Sequence, residues 1–440
     1  MKFRQLVAAL VGALVLTACG GGGSDTSTRC EGGDDKAWLC AYMDDWYFWY
    51  ATSPQPLPAA YSTLDSYFNA LLYPGDATFP SDRYSYYEST ASFDQFFGDG
   101  ETLGYGVSVA GLEVEGRPDL PLRIRYIEPL SPAAAQGLQR GDEILLINGL
   151  AASSYISSGD FSVLSAGTAG QSMALRVRGI GGVTRDLTLV ATVHALSPVP
   201  TTTLITSPLG RRVGYVMVKD MINQVNTPLE TAFAQFRAQG VSELVLDLRY
   251  NGGGLVSVGG TVASYVGGSR SSGRDYARLL YNDKRSSNNA TYSFSSPASA
   301  LGLARVYVLT GARTCSASEQ VINGLSPYVT VVQIGDTTCG KPMGFLPRDH
   351  NGNTFSVVNF ESVNGLNQGR YFDGLAPNCS VADDLDGALG SAGEGMVAAA
   401  LQHADTGTCP VFSRRAQPLA ARGTGRPLVE PGERQGMWAR

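Results

Sequence analysis

Histidine and charge are both scarce in this 440-residue chain. It has three histidines, His194, His350 and His403, and charged residues make up 16%, against roughly a quarter in an average soluble protein. The formal net charge is −6, which does not suit a polyphosphate, so nucleic acid is not an expected partner. There is no CxxC pair and no His/Cys cluster at zinc spacing, so no metal or other cofactor is expected.

Long apolar runs are also missing after the first 18 residues, so no mature transmembrane helix is expected. Residues 1–18 themselves have the pattern of a signal peptide, with basic residues before the short apolar run Leu6–Leu16. The motif LTAC resembles a bacterial lipobox, which would make Cys19 a lipidated first residue; an ordinary signal peptide is the alternative. Residues 19–33 would then be a glycine-rich tether. The expected location is the cell envelope, on a lipid anchor in the outer membrane facing the periplasm.

The six cysteines that follow form an even set, which in an exported protein indicates disulfides. They are Cys30, Cys40, Cys315, Cys339, Cys379 and Cys409. Spacing does not fix the connectivity. Proximity favours the pairs Cys30–Cys40 and Cys379–Cys409, which leaves Cys315–Cys339 as a hypothesis.

Four regions follow the tether. Apolar and aromatic residues at helical spacing predict a small helical domain over 34–100. Short strand patterns separated by turns predict a β-rich domain over 101–196. Buried strands alternate with helices over 197–412, which predicts an α/β core. Residues 413–440 carry six arginines among glycines and prolines without apolar periodicity, which predicts a mobile tail.

Within the β-rich region, the segment SPAAAQGLQRGDEILLINGL resembles a PDZ domain; a generic hairpin module is the alternative. The resemblance implies a loop whose backbone N–H groups bind the terminal carboxylate of a peptide. That loop consists of Leu103, Gly104, Tyr105 and Gly106. A bound peptide would add beside it as an extra strand.

The motif SASE, Ser316–Glu319, follows a predicted buried strand. Serine followed by glutamate three residues later is also a capping box, so Ser316 as a mere helix cap is the alternative. A serine at a strand-to-helix corner is well placed for nucleophilic attack, because the helix dipole favours an oxyanion there. The glycine turn in DLRYNGGG follows another predicted strand, and Lys341 follows a third. Burial can lower the pKa of a lysine until it acts as a general base.

Taken together, LVLDLRYNGGG, TCSASE and CGK resemble the C-terminal processing (tail-specific) serine proteases, over roughly residues 35 to 400. In that family a PDZ domain is joined to an α/β core of ClpP/crotonase-like type. The resemblance implies that Ser316 is the nucleophile and that Lys341, 25 residues later, is its base. It implies an oxyanion hole formed by Gly253 or Gly254 together with the Ala317 N–H. The substrates would be proteins with exposed, unstructured C-terminal tails.

One position departs from the family. Many members have a glutamine four residues after the lysine, where this chain has Phe345. The departure leaves open a catalytically weak or inactive PDZ lipoprotein that binds peptides or envelope partners. A serine–histidine arrangement, as in the tricorn-core peptidases, is a further alternative, with His350 nearest to Lys341 in sequence. A Cys315–Cys339 disulfide would fix the serine and lysine segments relative to each other.

Overall fold

The computed structural model describes residues 29–110, 121–410 and 436–439. The predicted signal peptide 1–18, the lipidated Cys19, most of the tether 19–33 and most of the predicted tail 413–440 lie outside the described residues. In the described part of the chain, the helices are all too short or too polar to cross a bilayer.

The N-terminal region is helical but shares its core with the rest of the protein. The elements are α1 Asp35–Trp46, α2 Leu64–Leu71, β1 Tyr86–Ser89 and α3 Thr90–Asp94. Asp34 caps α1 by accepting the Ala37 N–H at 2.9 Å, and Thr63 caps α2 through the Ser66 N–H at 3.1 Å. The buried aromatic residues of these elements belong to the same hydrophobic cluster as the central sheet. The region predicted as a small domain is therefore packed onto the α/β core and has no separate core of its own.

The β-rich region has its own hydrophobic core. Its strands are β2 Glu101–Gly104, β3 Val107–Ala110, β4 Leu122–Ile127, β5 Glu143–Ile147, β6 Leu150–Ala151, β7 Ser172–Arg178, β8 Thr184–Val190 and β9 Thr192–Ala195, with helices α4 Pro132–Ala135 and α5 Ala152–Ser158. The sheet runs β3-β4-β5-β7-β8, and β2 pairs with β9 outside it. Alternation in β7 places Met173, Leu175 and Val177 in the core, as a half-buried strand requires.

A largely parallel sheet forms the centre of the α/β core. Its strands are β10 Thr201–Thr206, β11 Arg212–Met217, β12 Glu243–Asp247, β16 Arg305–Thr310, β17 Thr330–Gly335 and β22 Cys379–Ser380, in the order β10-β11-β12-β16-β17-β22. Only β10 is antiparallel to its neighbour. The helices of this part are α6 Asn226–Ala238, α7 Val256–Gly267, α8 Ala317–Leu325 and α9 Gly395–Thr406. In β12, Leu244 and Leu246 face one hydrophobic cluster and Val245 faces the other, which explains its continuous apolar sequence.

A second sheet lies against the first. It consists of β13 Gly253–Leu255, β14 Asp275–Tyr281, β15 Ala290–Ser293, β18 Met343–Phe345, β21 Val358–Val363 and β23 Gly436–Trp438, in the order β13-β23-β18-β21-β14-β15. Strands β19 Arg348–His350 and β20 Asn353–Ser356 form a small sheet with β1. The end of the predicted mobile tail differs from expectation, because β23 is buried between two strands. Three residues are too few to show a period in the sequence, and contacts distant in the chain hold them.

Candidate active site

Ser316 lies at the sharp corner between β16 and α8. Its backbone has φ 59° and ψ −111°, a left-handed conformation that a residue with a β-carbon adopts only under strain. The side chain is fully buried. Its hydroxyl Oγ has no hydrogen-bond partner among the described residues, so it does not act as a helix cap here.

The carboxylate of Glu319 joins the serine segment to the lysine segment. Its Oε2 accepts the backbone N–H groups of Ser316 at 2.8 Å and Lys341 at 2.9 Å. Its Oε1 accepts the Gly340 N–H at 2.8 Å and the Thr338 hydroxyl at 2.5 Å. Complete burial raises the pKa of Glu319, and these hydrogen bonds oppose the rise. One buried carboxylate therefore fixes both segments.

A disulfide joins the same two segments. Cys315 and Cys339 are bonded, with their Cα atoms 5.2 Å apart. The other two pairs, Cys30–Cys40 and Cys379–Cys409, are those that proximity favoured. Within the described residues, Cys315, Glu319 and Cys339 also form a group of potential metal ligands, but sulfurs engaged in a disulfide are not thiolates.

The side chain of Lys341 is buried against aromatic rings. Its Nζ lies 4.0 Å from the centroid of the Phe345 ring and 5.3 Å from that of Tyr84, and the residue is 1% exposed. Desolvation lowers the pKa of Lys341 to about 7, although the charges of Asp82 and Glu319 oppose the shift. A large fraction of this amine is therefore uncharged at neutral pH, as a general base requires.

The proton transfer expected of the predicted pair needs a hydrogen bond from Ser316 to Lys341, and this bond is not formed here, because Ser316 Oγ has no hydrogen-bond partner in the described part of the chain. The two segments are nevertheless adjacent. The backbone nitrogens of Ser316 and Lys341 bind the same oxygen of Glu319. The distance between these two nitrogens therefore cannot exceed the sum of the two hydrogen-bond lengths. Both side chains can rotate about their own bonds, and catalytic hydrogen bonds often tighten only when substrate binds.

The glycine loop packs against the serine corner through Asn251. The backbone carbonyl of Asn251 accepts the Cys315 N–H at 3.1 Å and the Ser318 hydroxyl at 3.1 Å. A β-carbon on Gly253 would lie 3.1 Å from the Ala317 nitrogen and 3.0 Å from the Cys315 oxygen, and its φ of 111° also favours glycine. The structure therefore brings Gly253 next to Ala317.

The N–H of Gly253 is already used, because it donates to Asn251 Oδ1 at 2.8 Å. In this conformation it is not available as an oxyanion donor. The next residue, Gly254, has φ 137° and closely approaches Met221, whose carbonyl oxygen would lie 2.3 Å from an added β-carbon. Of the predicted oxyanion residues, the structure thus places Gly253 and Ala317 side by side, with Gly254 following in β13.

An ion network centred on the buried Arg249 lies next to the glycine loop and was not predicted from the sequence. Arg249 contacts Asp247 at 2.9 Å, Glu394 at 2.7 Å and Asp383 at 2.8 Å. Its positive charge and that of Arg140 lower the pKa of Asp383 to about 2. Charged residues beside the apolar strand β12 were the available signal, since charges next to a buried strand require partners.

The predicted peptide-binding loop lies in the β-rich region, away from the serine corner in sequence and in a different hydrophobic cluster. Tyr105 is buried, and its carbonyl accepts the Ala133 N–H of α4 at 3.0 Å. Gly106 has φ 77°, and an added β-carbon would lie 2.0 Å from that of Ser131. Leu103 and Gly104 end β2. Next to the loop, β3 is an edge strand of its sheet, the position at which a peptide strand can add.

The histidines have other surroundings. His350 stacks on Trp38 with 4.0 Å between ring centroids and hydrogen-bonds Asp35 at 3.1 Å. His194 contacts the Thr192 carbonyl at 3.1 Å, and His403 packs against a tyrosine of β16. Because Ser316 Oγ has no hydrogen-bond partner among the described residues, no histidine is bonded to it.

Comparison with known families identifies three segments in the order that the structure shows. Residues 212–379 match the model of peptidase family S41, residues 34–86 that of the peptidase S41 N-terminal domain, and residues 96–160 that of the PDZ domain. The chain carries the peptidase S41 domain. Ser316, Lys341 and the glycine loop all lie within this S41 domain, and the predicted peptide-binding loop lies within the matched PDZ segment.

Related proteins agree with this assignment. The chain is 28% identical over 238 residues to a carboxyl-terminal-processing protease of Picosynechococcus, and this match covers 53% of this chain and 54% of the relative. It is 28% identical over 242 residues to a chloroplastic carboxyl-terminal-processing peptidase 1 of Arabidopsis thaliana, and this match covers 55% of this chain and 48% of the relative. The chain thus spans about half the length of these curated relatives.

One solved structure is similar over nearly its whole length. It is a protein from Bacteroides fragilis that is provisionally assigned to the S41 proteases, with a TM-score of 0.67 and 26% sequence identity. The similarity covers 86% of this chain and 99% of that chain. The S41 peptidase fold with its N-terminal and PDZ domains therefore describes this protein.

The strained corner gives a stability test. Ser316→Gly should be more stable than Ser316→Ala by about 1 kcal/mol, because glycine adopts the left-handed backbone without the β-carbon penalty. Urea unfolding measures the difference. Ser318 is the matched control, since it lies inside α8, where alanine should be the more stable by about 1 kcal/mol. Equal stability of the two Ser316 variants would contradict a strained corner.

The carboxylate that joins the segments gives a second test. Glu319→Gln keeps the shape but turns an NH₂ group towards backbone donors, which leaves buried groups unpaired at about 1–3 kcal/mol each. We expect kcat on a peptide substrate to fall by about 100-fold or more with KM nearly unchanged. Glu243→Gln, a buried glutamate in β12 that pairs with Arg305, is the control and should keep kcat within a few-fold. A Glu319→Gln protein with normal kcat would show that positioning does not depend on this residue.

Proposed function

We propose that this protein is a serine endopeptidase of the cell envelope that cleaves proteins with unstructured C-terminal tails through a Ser316–Lys341 dyad. The observation that carries the proposal is the pairing of a strained, buried serine with a desolvated lysine on one shared carboxylate, Glu319. Lysine replaces histidine as the base, which agrees with the surroundings of the three histidines. The similarity to the carboxyl-terminal-processing proteases supports the same reaction.

In the proposed reaction the uncharged Lys341 amine takes the proton of the Ser316 hydroxyl while Oγ attacks the substrate carbonyl carbon. The tetrahedral oxyanion is stabilised by the Ala317 N–H, at the start of α8, and by a donor of the glycine loop. When the C–N bond breaks, Lys341 returns the proton to the leaving amine. Water then attacks the carbonyl carbon of the acyl-enzyme while Lys341 takes one of its protons. When the C–Oγ bond breaks, Lys341 returns that proton to Ser316 Oγ, and the carboxylic acid product leaves.

Phe345 replaces an orienting amide by an apolar wall. Because its ring lies 4.0 Å from the Lys341 amine, it excludes water from that side and contributes to the desolvation that lowers the pKa. The ring face also attracts the protonated amine during catalysis. We therefore place Phe345 among the groups that hold the lysine. This favours the enzyme over the alternative of an inactive peptide-binding lipoprotein.

The PDZ domain would capture the C-terminal tail of the substrate beside β3, at the loop Leu103–Gly106, and supply it to Ser316. A lipid on Cys19 would hold the protein at the outer membrane, facing the periplasm. A ClpP/crotonase-like fold of the α/β core is part of the same proposal.

Removing either partner of the dyad should abolish activity. Ser316→Ala and Lys341→Met are each expected to lower cleavage of denatured casein by at least about 1,000-fold. Lys341→Met should not reduce the free energy of unfolding at pH 7, because the native pKa of about 7 means that burial of this amine opposes folding below its unfolded pKa. Urea unfolding and a casein assay measure both.

A serine at the opposite end of α8 and a second lysine are the matched controls. Ser326→Ala removes a hydroxyl that donates to the Asn323 carbonyl, and Lys284→Met removes a partly exposed lysine, so both should keep activity within a few-fold. Loss of activity in a His350 variant, together with an active Lys341→Met protein, would refute the dyad.

The pH profile should report the lysine. Since Lys341 must be uncharged to act as a base and its pKa is lowered to about 7, kcat/KM should rise by about tenfold per pH unit below 7 and level off above about pH 8. Initial rates between pH 5 and pH 9 in buffers of constant ionic strength measure it. A rate that stays constant from pH 6 to pH 8 would contradict the assignment.

A further inference from the structure

Strand β23 lies between the two strands that carry the proposed catalytic groups. It runs parallel to β13, with Gly436 opposite Gly253, and parallel to β18, with Trp438 opposite Phe345. β13 begins with Gly253 and Gly254 of the glycine loop, and β18 begins two residues after Lys341. Neighbouring strands are about 4.8 Å apart, so β23 fills a slot one strand wide between the glycine loop and the lysine segment.

Backbone hydrogen bonds hold β23 in this slot from both sides. The Gly436 N–H donates to the Gly252 carbonyl at 3.0 Å, and the Ala439 N–H donates to the Phe345 carbonyl at 2.9 Å. Contacts of this kind recognise main chain and not particular side chains, so another extended segment could form them equally.

The carbonyl of Gly436 points to the proposed oxyanion site. Its oxygen lies 2.1 Å from the position of a β-carbon on Gly253, and the Ala317 nitrogen lies 3.1 Å from that same position. β23 also contacts α8, the helix that begins directly after Ser316. A substrate strand with the same register would present the corresponding carbonyl to these groups.

Two residues later, Trp438 fills an aromatic pocket. Its ring centroid lies 4.5 Å from that of Phe97, 5.7 Å from Phe345 and 6.5 Å from Phe93. Its Nε1–H donates to the Ser356 hydroxyl at 3.1 Å. The pocket therefore offers both apolar rings and a polar acceptor, the combination that suits an indole.

Occupation of the slot coincides with burial of the dyad. Ser316 is 0% exposed and Lys341 is 1% exposed. A nucleophile that is wholly buried cannot reach an external peptide unless a segment over it moves. β23 is held by short backbone contacts and one large side chain.

We propose that the slot between β13 and β18 is the substrate-binding groove, that β23 occupies it as an internal substrate-like strand, and that the Phe93–Phe97–Phe345 pocket selects substrates with a large aromatic residue two positions after the carbonyl facing Gly253. The catalytic meaning of this assignment rests on the proposed function. The strand site itself does not, and it can be tested without turnover.

The first experiment measures binding in the full chain with Ser316→Ala, which cannot turn over in the proposed mechanism. The probe is a fluorescein-labelled peptide ERQGMWAR, the sequence of residues 433–440, and the matched peptide has alanine for tryptophan. With Trp438→Ala added to free the slot, the tryptophan peptide should bind at least about tenfold more tightly than the alanine peptide by fluorescence anisotropy. With Trp438 intact it should bind at least about tenfold more weakly, because the tethered strand competes.

A second measurement tests the same inference without the Trp438→Ala substitution, in case that variant does not fold. In the Ser316→Ala chain, hydrogen exchange of the 436–439 amides should be slow and should become fast when excess ERQGMWAR displaces the strand. Amides that stay protected at saturating peptide would show that β23 is only a structural strand, and this would overturn the inference.

An activity arm separates the inference from the proposed function. In the otherwise unchanged chain, Trp438→Ala should raise the rate of casein cleavage by roughly tenfold or more, and Trp438→Phe should raise it by less. Selective peptide binding without any cleavage would support the groove and refute the protease. Cleavage without peptide binding, and without a rate increase in Trp438→Ala, would refute the groove and leave the protease intact.

Discussion

The site depends on one buried carboxylate. Glu319 accepts hydrogen bonds from the backbone of Ser316 and of Lys341 on a single oxygen, and from two further donors on the other. Burying a carboxylate costs free energy unless its oxygens accept hydrogen bonds. The folded state is therefore most stable when the Ser316 and Lys341 segments both donate to Glu319. The disulfide between Cys315 and Cys339 constrains the same approach covalently. Serine and lysine are therefore positioned through the backbone contacts that their segments make with Glu319.

Much of this arrangement could be predicted from sequence, because its signals are local or belong to a motif. The apolar run of β12, the glycine turn after it and the spacing from Ser316 to Lys341 give the S41 domain. The role of Glu319 could not be predicted, since its partners Gly340 and Lys341 are about 20 residues away and a capping box explained it equally well. β23 was also missed. Its partners are distant in sequence, and a three-residue strand carries no periodic pattern.

The lysine shows how an apolar neighbour changes the chemistry of a charged group. An ammonium ion loses hydration when aromatic rings surround it, and the rings return only part of that free energy. Phe345 and Tyr84 face Lys341 in this way, while the carboxylate of Asp82 is occupied by Tyr47 and Ser85. Burial lowers the pKa of Lys341 more than the charges of Asp82 and Glu319 raise it. An uncharged amine is then stable in a site that contains two acids.

A second shared carboxylate, that of Asp383, links the glycine loop to the PDZ domain. Asp383 contacts Arg249, next to the loop, and also Arg140 of the PDZ region, whose guanidinium additionally donates to the Gly387 carbonyl at 3.0 Å. Removing either arginine would take away one of the two positive charges that stabilise the Asp383 carboxylate. The orientation of the PDZ domain and the conformation of the glycine loop are therefore not independent, because they share one carboxylate. Movement of either one must keep Asp383 paired with both arginines or break one of these two ion pairs.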